Sequence, residues 1–124
     1  MNPLSYARRF GLVNQRGFDV SDIPNLNEKV AIITGGQSGI GQEISALLLL
    51  HGVSKVYILA RTKSKYEAAK VNWIEHRGLQ QEDVDKRSEF IQCDLSDILS
   101  VKEAASILLL KLDRLDILFN NAGG

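Results

Sequence analysis

The run Thr34-Gly35-Gly36-Gln37-Ser38-Gly39-Ile40-Gly41 constrains this chain more than any other stretch. It follows the apolar run Val30-Ala31-Ile32-Ile33. It opens a segment whose apolar residues Ile40, Ile44, Leu47 and Leu48 recur with helical spacing. The first pattern is that of a buried strand, the second that of one helix face. Glycine lets the backbone turn sharply between the two and approach a ligand with no Cβ in the way. The helix N-terminus beyond offers free N–H groups and a partial positive charge. Strand, glycine turn and helix in that order make a pyrophosphate site and point to a dinucleotide. A glycine turn also serves packing alone, and its place between strand and helix favours the binding reading.

The alternation continues. Gly52 closes the first helix as a C-terminal cap, and Lys55 to Ala60 reads as a second strand. Ser64 and Glu67 have capping-box spacing, which predicts a second helix with Tyr66, Ala69 and Trp73 on one face, stopping near Gly78. Residues 80–88 read as a charged loop, and Phe90-Ile91-Gln92-Cys93 as a third strand. Ser100 and Glu103 form another capping box, opening a third helix with Val101, Ala105, Leu108 and Leu112 toward the core. Leu115 to Phe119 is a fourth strand before Asn120-Asn121-Ala122-Gly123-Gly124.

The fold class is therefore α/β: a Rossmann-type parallel sheet with right-handed crossovers, here four strands and three helices. That is half of a typical doubly wound sheet, so the fold reads as incomplete. The last strand is apolar throughout, with none of the charge or proline that blunts an edge. It reads as an interior strand without its neighbour, which predicts marginal stability and association. Residues 1–27 lack a period and read as an irregular leader that packs near Ile23 and Leu26. Residues 28–124 form the domain.

Composition excludes several classes. Lysine plus arginine and aspartate plus glutamate both total 15, so no charge surplus points to nucleic acid. No apolar run reaches the roughly 18 residues of a membrane span. The single cysteine, Cys93, rules out an internal disulfide and suits a reducing compartment. His51 and His76 have no partner at metal-ligand spacing, so no metal site is expected. Arg8, Arg9 and Arg16 without an acid among the first sixteen residues are a faint transit-peptide signal. A flexible leader, and with it a cytoplasmic rather than mitochondrial location, is the preferred reading.

The end of the second strand selects the cofactor. An NAD site places an acid there, about 20 residues past the glycines, for the adenosine ribose. This chain has Ala60 followed by Arg61, with Lys63 and Lys65 close behind. No carboxylate repels a 2′-phosphate, and a guanidinium is present to pair with it. NADP(H) is expected over NAD(H). The blander alternative is that these cations form a solvated loop.

The motifs together resemble the short-chain dehydrogenases/reductases. The family's turn, T-G-x-x-x-G-x-G, matches Thr34 to Gly41 in its classical spacing, not in the T-G-x-x-G-x-x-G spacing of extended members. Asp94-Leu95 follows the third strand, and Asn120-Asn121-Ala122-Gly123 follows the fourth, with Leu115-Asp116-Ile117-Leu118 before it. The flank Ile23-Pro24-Asn25-Leu26 is similar to fungal members with retinol-dehydrogenase-like sequences. The resemblance covers residues 27–124. It implies that Asp94 binds the adenine, that Asn121 steadies the sheet centre, and that Ala122 and Gly123 line the cofactor. The implied cofactor set is Gly35, Ser38, Gly39, Ile40, Gly41, Arg61, Asp94, Leu95, Asn121, Ala122 and Gly123.

The family's catalytic serine and Tyr-x-x-x-Lys pair come later than Gly124, so no catalytic residue is assigned. Tyr66-Glu67-Ala68-Ala69-Lys70 has the Tyr-x-x-x-Lys pattern but lies one crossover too early, with Tyr66 on an apolar face. The expected function is that of a truncated member of an NADP-dependent oxidoreductase family, inactive alone. It would act on a small-molecule substrate only if a catalytic half were supplied. A non-enzymatic NADP-binding or regulatory module and a non-functional remnant stand as alternatives. A methyltransferase is disfavoured by the missing acid at the second strand and by Asn-Asn-Ala-Gly.

Overall fold

The structure is a computed structural model that describes residues 22–35 and 39–121. The four strands are β1 (Val30–Thr34), β2 (Lys55–Ala60), β3 (Ser88–Gln92) and β4 (Ile117–Asn120). The helices among the described residues are α1 (Gly39–Leu50), α2 (Lys63–His76), α3 (Gln81–Arg87) and α4 (Ile98–Lys111). All strand pairs are parallel, in the order β3-β2-β1-β4. The expected α/β sheet is present, with β4 at an edge.

Side-chain alternation along the strands builds one core on each face. Ala31 and Ile33 of β1 and Val56 and Ile58 of β2 point to α1, α2 and α3, where Trp73, Leu49 and Val84 are fully buried. Ile32, Tyr57 and Ile91 point the other way, against Ala104 and Leu108 of α4. Cys93 is buried in this second core. Helix α1 ends as expected at Gly52, whose φ of 90° suits glycine. The amides of Gly52 and Val53 donate to Leu49 and Leu48 carbonyls at 3.2 and 3.1 Å, the two bonds of a Schellman motif.

The charged loop expected over residues 80–88 is instead helix α3 followed by the start of β3. Its single apolar residue, Val84, is fully buried. Glu82 and Asp83 lie in its first turn and Lys86 and Arg87 in its last, the arrangement that complements a helix dipole. Arg87 also donates to the Leu49 and Val53 carbonyls, both at 2.8 Å, closing the C-terminus of α1.

Neither capping box forms. Helix α2 begins after Thr62, with no side-chain cap. Helix α4 begins after Asp97, whose carboxylate accepts from the Leu99 amide at 3.0 Å. Ser100 Oγ accepts instead from the Asp94 amide at 2.8 Å. The inward stripe of α4 runs through Ala104, not Ala105, which is exposed. Strand β3 starts at Ser88 and ends before Cys93, and β4 starts at Ile117 rather than Leu115.

Asp116 fastens the root of β4. Its carboxylate accepts from the Val30 amide at 2.9 Å and from two nitrogens of Arg114. These bonds, Arg114 foremost, hold the Asp116 carboxyl below its usual range. A carboxyl with a depressed pKa stabilises the fold above its unfolded pKa and loses that contribution as pH falls through its folded value. Asp116→Asn is therefore expected to lower denaturant stability slightly near pH 7, because the pair lies at the surface. The difference from wild type should shrink only as pH falls below the ordinary carboxylate range, through the depressed folded pKa of Asp116. A difference independent of pH would show that the charge at Asp116 contributes nothing.

Candidate functional site

Parallel strands bring all their C-terminal ends to one side, and the residues singled out in the sequence gather there. Gly35 follows β1, Arg61 follows β2, Asp94 lies two residues past β3, and Asn121 follows β4. The order β3-β2-β1-β4 reverses direction at β1, because the chain moves one way from β1 to β3 and then crosses back to β4. Open α/β sheets bind ligands outside the strand ends at such a switch point. Gly35 and Asn121 flank it.

Three glycines of the turn do different work. Gly35 and Gly39 have φ of 71° and 56°, the left-handed region that glycine enters without penalty. A Cβ at Gly39 would meet no described atom within 4 Å, and Gly39 itself is exposed. Gly41, on the first turn of α1, is buried. A Cβ on it would collide with the Gly35 carbonyl oxygen and stand 2.6 Å from Asn121 Nδ2. Gly41 thus lets α1 close on the strand ends, while Gly39 leaves room for a ligand at the helix N-terminus. Ile40 beside them is half-buried.

Asn121 joins both sides of the switch point. Its amide N–H donates to Thr34 Oγ1 at 3.0 Å, and its Nδ2 donates to the Gly35 carbonyl at 3.3 Å. Thr34 Oγ1 in turn donates to the Phe119 carbonyl at 3.4 Å. The end of β4 is thereby held to the glycine turn by side chains as well as by ladder bonds.

Past the end of β3, Asp94 accepts from the Ser96 amide at 3.0 Å and the Ser96 hydroxyl at 2.7 Å. These bonds hold its carboxyl below the usual range, and the nearby Arg61 guanidinium adds to the effect. Asp94 is therefore an anion and an acceptor at neutral pH. Arg61, Lys63 and Lys65 are exposed, as is Leu95. The structure thus brings Gly35, Gly39, Ile40, Gly41, Arg61, Asp94, Leu95 and Asn121 to one end of the sheet. Ser38, Ala122 and Gly123 lie outside the described residues.

The Tyr66–Lys70 pair is not part of this site. Tyr66 is buried against Trp73 and Phe90, and its hydroxyl meets Ser88 Oγ at 2.7 Å. Burial pushes the phenol pKa up, opposite to what proton transfer needs. Lys70 pairs with Asp85 at 2.9 Å. Among the described residues no cluster of His, Cys, Asp or Glu could hold a metal ion, and no helix is long and apolar enough to cross a membrane.

Comparison with known proteins gives a consistent picture. The family model described as short chain dehydrogenase matches residues 29–124. A short-chain dehydrogenase/reductase of Armillaria gallica is 42% identical over 106 residues, covering 86% of this chain and 32% of the relative. A Neurospora crassa relative, whose name includes "oxidoreductase bli-4, mitochondrial", is 36% identical, covering 90% of this chain and 26% of its own length. The chain thus spans about a quarter to a third of these relatives. Among solved structures, menthone neomenthol reductase from Mentha piperita superposes with a TM-score of 0.66 at 31% identity, over 77% of this chain and 32% of that one. The N-domain of a bacterial malonyl-CoA reductase, solved with NADP, gives 0.66 at 30% identity, over 82% of this chain and 18% of that one.

The packing of the turn makes a direct prediction. Gly41→Ala is expected to lower unfolding free energy by about 1–3 kcal/mol, the usual cost of forcing a methyl into a filled site. Gly39→Ala meets no described atom, and its cost should be only the roughly 1 kcal/mol of the left-handed backbone. Equal stability of Gly41→Ala and wild type in urea unfolding would contradict the close approach of α1 to Asn121.

Proposed function

The chain belongs to the short chain dehydrogenase family, and from that premise we propose that it is the nucleotide-binding part of an NADP(H)-dependent oxidoreductase. The observation that carries this reading is the convergence of Gly35, Gly39, Gly41 and Asn121 at the switch point, with Arg61 near Asp94 at the same end of the sheet. The residues fit a dinucleotide. Bare backbone at Gly39 and the N-terminus of α1 suit the pyrophosphate. The Asp94 carboxylate suits a donor on the adenine, with Leu95 alongside. The place where an NAD site carries an acid holds Ala60, and the exposed Arg61 that follows it suits a 2′-phosphate. Ser38, Ile40, Ala122 and Gly123 complete the proposed lining. The family likeness and an NADP-bound solved neighbour support this choice.

When bound, the nicotinamide would supply or accept a hydride against a carbonyl or alcohol substrate. This chain's own residues bind and orient the cofactor. Among the described residues none is proposed to move a proton to the substrate: Tyr66 is buried in the core, and its Tyr-x-x-x-Lys pattern lies on α2. The chain by itself is therefore proposed to bind NADP(H) without turnover. A cytoplasmic location is part of the same reading.

Titration calorimetry of the 124-residue chain tests this. NADP is expected to bind at least about tenfold tighter than NAD, and Arg61→Ala should remove most of that preference, as loss of a charge-assisted phosphate contact would. No carbonyl-dependent NADPH oxidation is expected. Equal affinity for both cofactors, or an unchanged preference in Arg61→Ala, would overturn the assignment to NADP. Turnover by the isolated chain would overturn the proposed division of labour.

A further inference from the structure

A cavity lies near the N-terminal ends of β1 and β2, on the α4 face and at the opposite end of the sheet from the glycine turn. It holds about 330 Å³, the lower end of the range for small-molecule sites. Tyr57 of β2 lines it, with Val30 of β1 and Leu112 at the end of α4 as apolar walls. Glu28, Lys111, Asp113 and Arg114 stand around them. Tyr57 is only 6% exposed, yet its hydroxyl makes no hydrogen bond among the described residues. A buried tyrosine hydroxyl usually has a partner, as Tyr66 has in Ser88. Burial raises the pKa of the Tyr57 phenol, and the charges that act on it are Glu89, Lys111 and Asp113. Two of these line the cavity, so the hydroxyl end of the ring faces it.

The cations at the cavity are already engaged. Lys111 Nζ pairs with Glu89 at 2.8 Å. Arg114 makes two bonds to Asp116, at 2.9 and 2.6 Å. The acids are not: neither the Glu28 nor the Asp113 carboxylate forms a hydrogen bond or ion pair among the described residues. Glu28 acts on Arg114 only through its field. Helix α4 ends at the cavity with Leu112 as its C-cap, and that pole adds partial negative charge. Glu28 also occupies an unusual place. Its φ is 68°, in a turn closed by the Lys29 amide on the Leu26 carbonyl at 3.0 Å. Glycine or asparagine is the usual residue there. A carboxylate kept at the mouth of a cavity despite backbone strain points to a use for it.

We propose that this cavity binds a small organic cation: a primary ammonium on a short apolar stem. The carboxylates of Glu28 and Asp113 supply its counter-charge, and the Tyr57 hydroxyl accepts one of its three N–H donors. The stem lies on Val30 and Leu112. An anion suits the cavity less well, because it would have to displace Glu89 or Asp116 from its partner. A bare metal ion lacks ligands, since no group of three or more His, Cys, Asp or Glu gathers among the described residues. The site is separate from the proposed nucleotide surface and does not depend on it.

NMR titration of the labelled 124-residue chain with phenethylammonium chloride, at fixed ionic strength, tests this. Saturable shifts are expected on Ser54, Tyr57, Leu112, Asp113 and Arg114, with Gly39 and Asn121 unmoved. Phenylacetate reverses the charge of the probe and 2-phenylethanol removes it. Each should bind at least about tenfold more weakly, as loss of a charge-assisted contact would give. Asp113→Asn and Tyr57→Phe should each weaken phenethylammonium at least about threefold. Glu103→Gln is the control: Glu103 is an exposed acid of α4 that does not line the cavity, and its effect should stay within about twofold. Glu28→Gly should weaken binding without lowering stability in urea, because glycine accepts the left-handed turn. That variant separates lost recognition from lost folding. Equal binding of the three probes would reduce the cavity to an apolar crevice and overturn the proposal. So would the absence of saturable shifts, tighter binding of phenylacetate, shifts concentrated on Gly39 and Asn121, or equal effects of Glu103→Gln and Asp113→Asn.

Discussion

Asn121 holds the end of β4 against the glycine turn after β1. Its backbone amide donates to Thr34, its side-chain amide donates to Gly35, and Gly41 closes in from α1 beneath them. An edge strand of four residues has few ladder bonds of its own. The junction adds bonds at its C-terminal end, and Asp116 adds the Val30 contact at its root. The surface proposed to face a cofactor and the anchoring of the outermost strand therefore share the same contacts. A residue that loosens one loosens the other.

The remaining structure keeps α1 in position for this role. Trp73 of α2 donates its indole N–H to the Gln42 carbonyl at 3.1 Å, Gln42 Nε2 bonds Asn72 at 2.8 Å, and Arg77 pairs with Glu43. Arg87 ties the far end of α1 to the start of β3. The helix N-terminus is thus aimed by contacts along its whole length, while Gly39 stays open. Preorganisation of this kind lowers the ordering cost of binding. The α4 side is organised differently: Lys111 and Ser100 anchor it on the β3 flank, while Ile98 and Leu109 are exposed.

The strands were legible because apolar runs buried on both faces give a strong signal, and β2 has the bounds read from its residues. Helix α3 was not, because a seven-residue segment with one apolar side chain has no stripe to detect. Its order of acids first and bases last was the available sign. The capping boxes misled because Ser and Glu three apart also occur inside helices. Asp97 was the real cap, and the Ser100 hydroxyl was engaged by Asp94. Ala104 and Ala105 fit the helical period of α4 almost equally, and only packing separates them. At the site, residue types and order along the chain were readable. The contact of Asn121 with Gly35 and Gly41 was not, since it joins residues some 80 or more positions apart through the β1–β4 pairing.

The central claim is that the junction of β1, α1 and β4 is one surface that binds the nucleotide. Amide-resolved NMR of the labelled chain titrated with NADP tests it most directly. The account predicts that the largest shifts fall on Gly35, Gly39, Ile40, Gly41, Arg61, Asp94 and Asn121, with the Asn121 side-chain amide among them. Shifts confined to the opposite end of the sheet, near Val30 and Arg114, would contradict it.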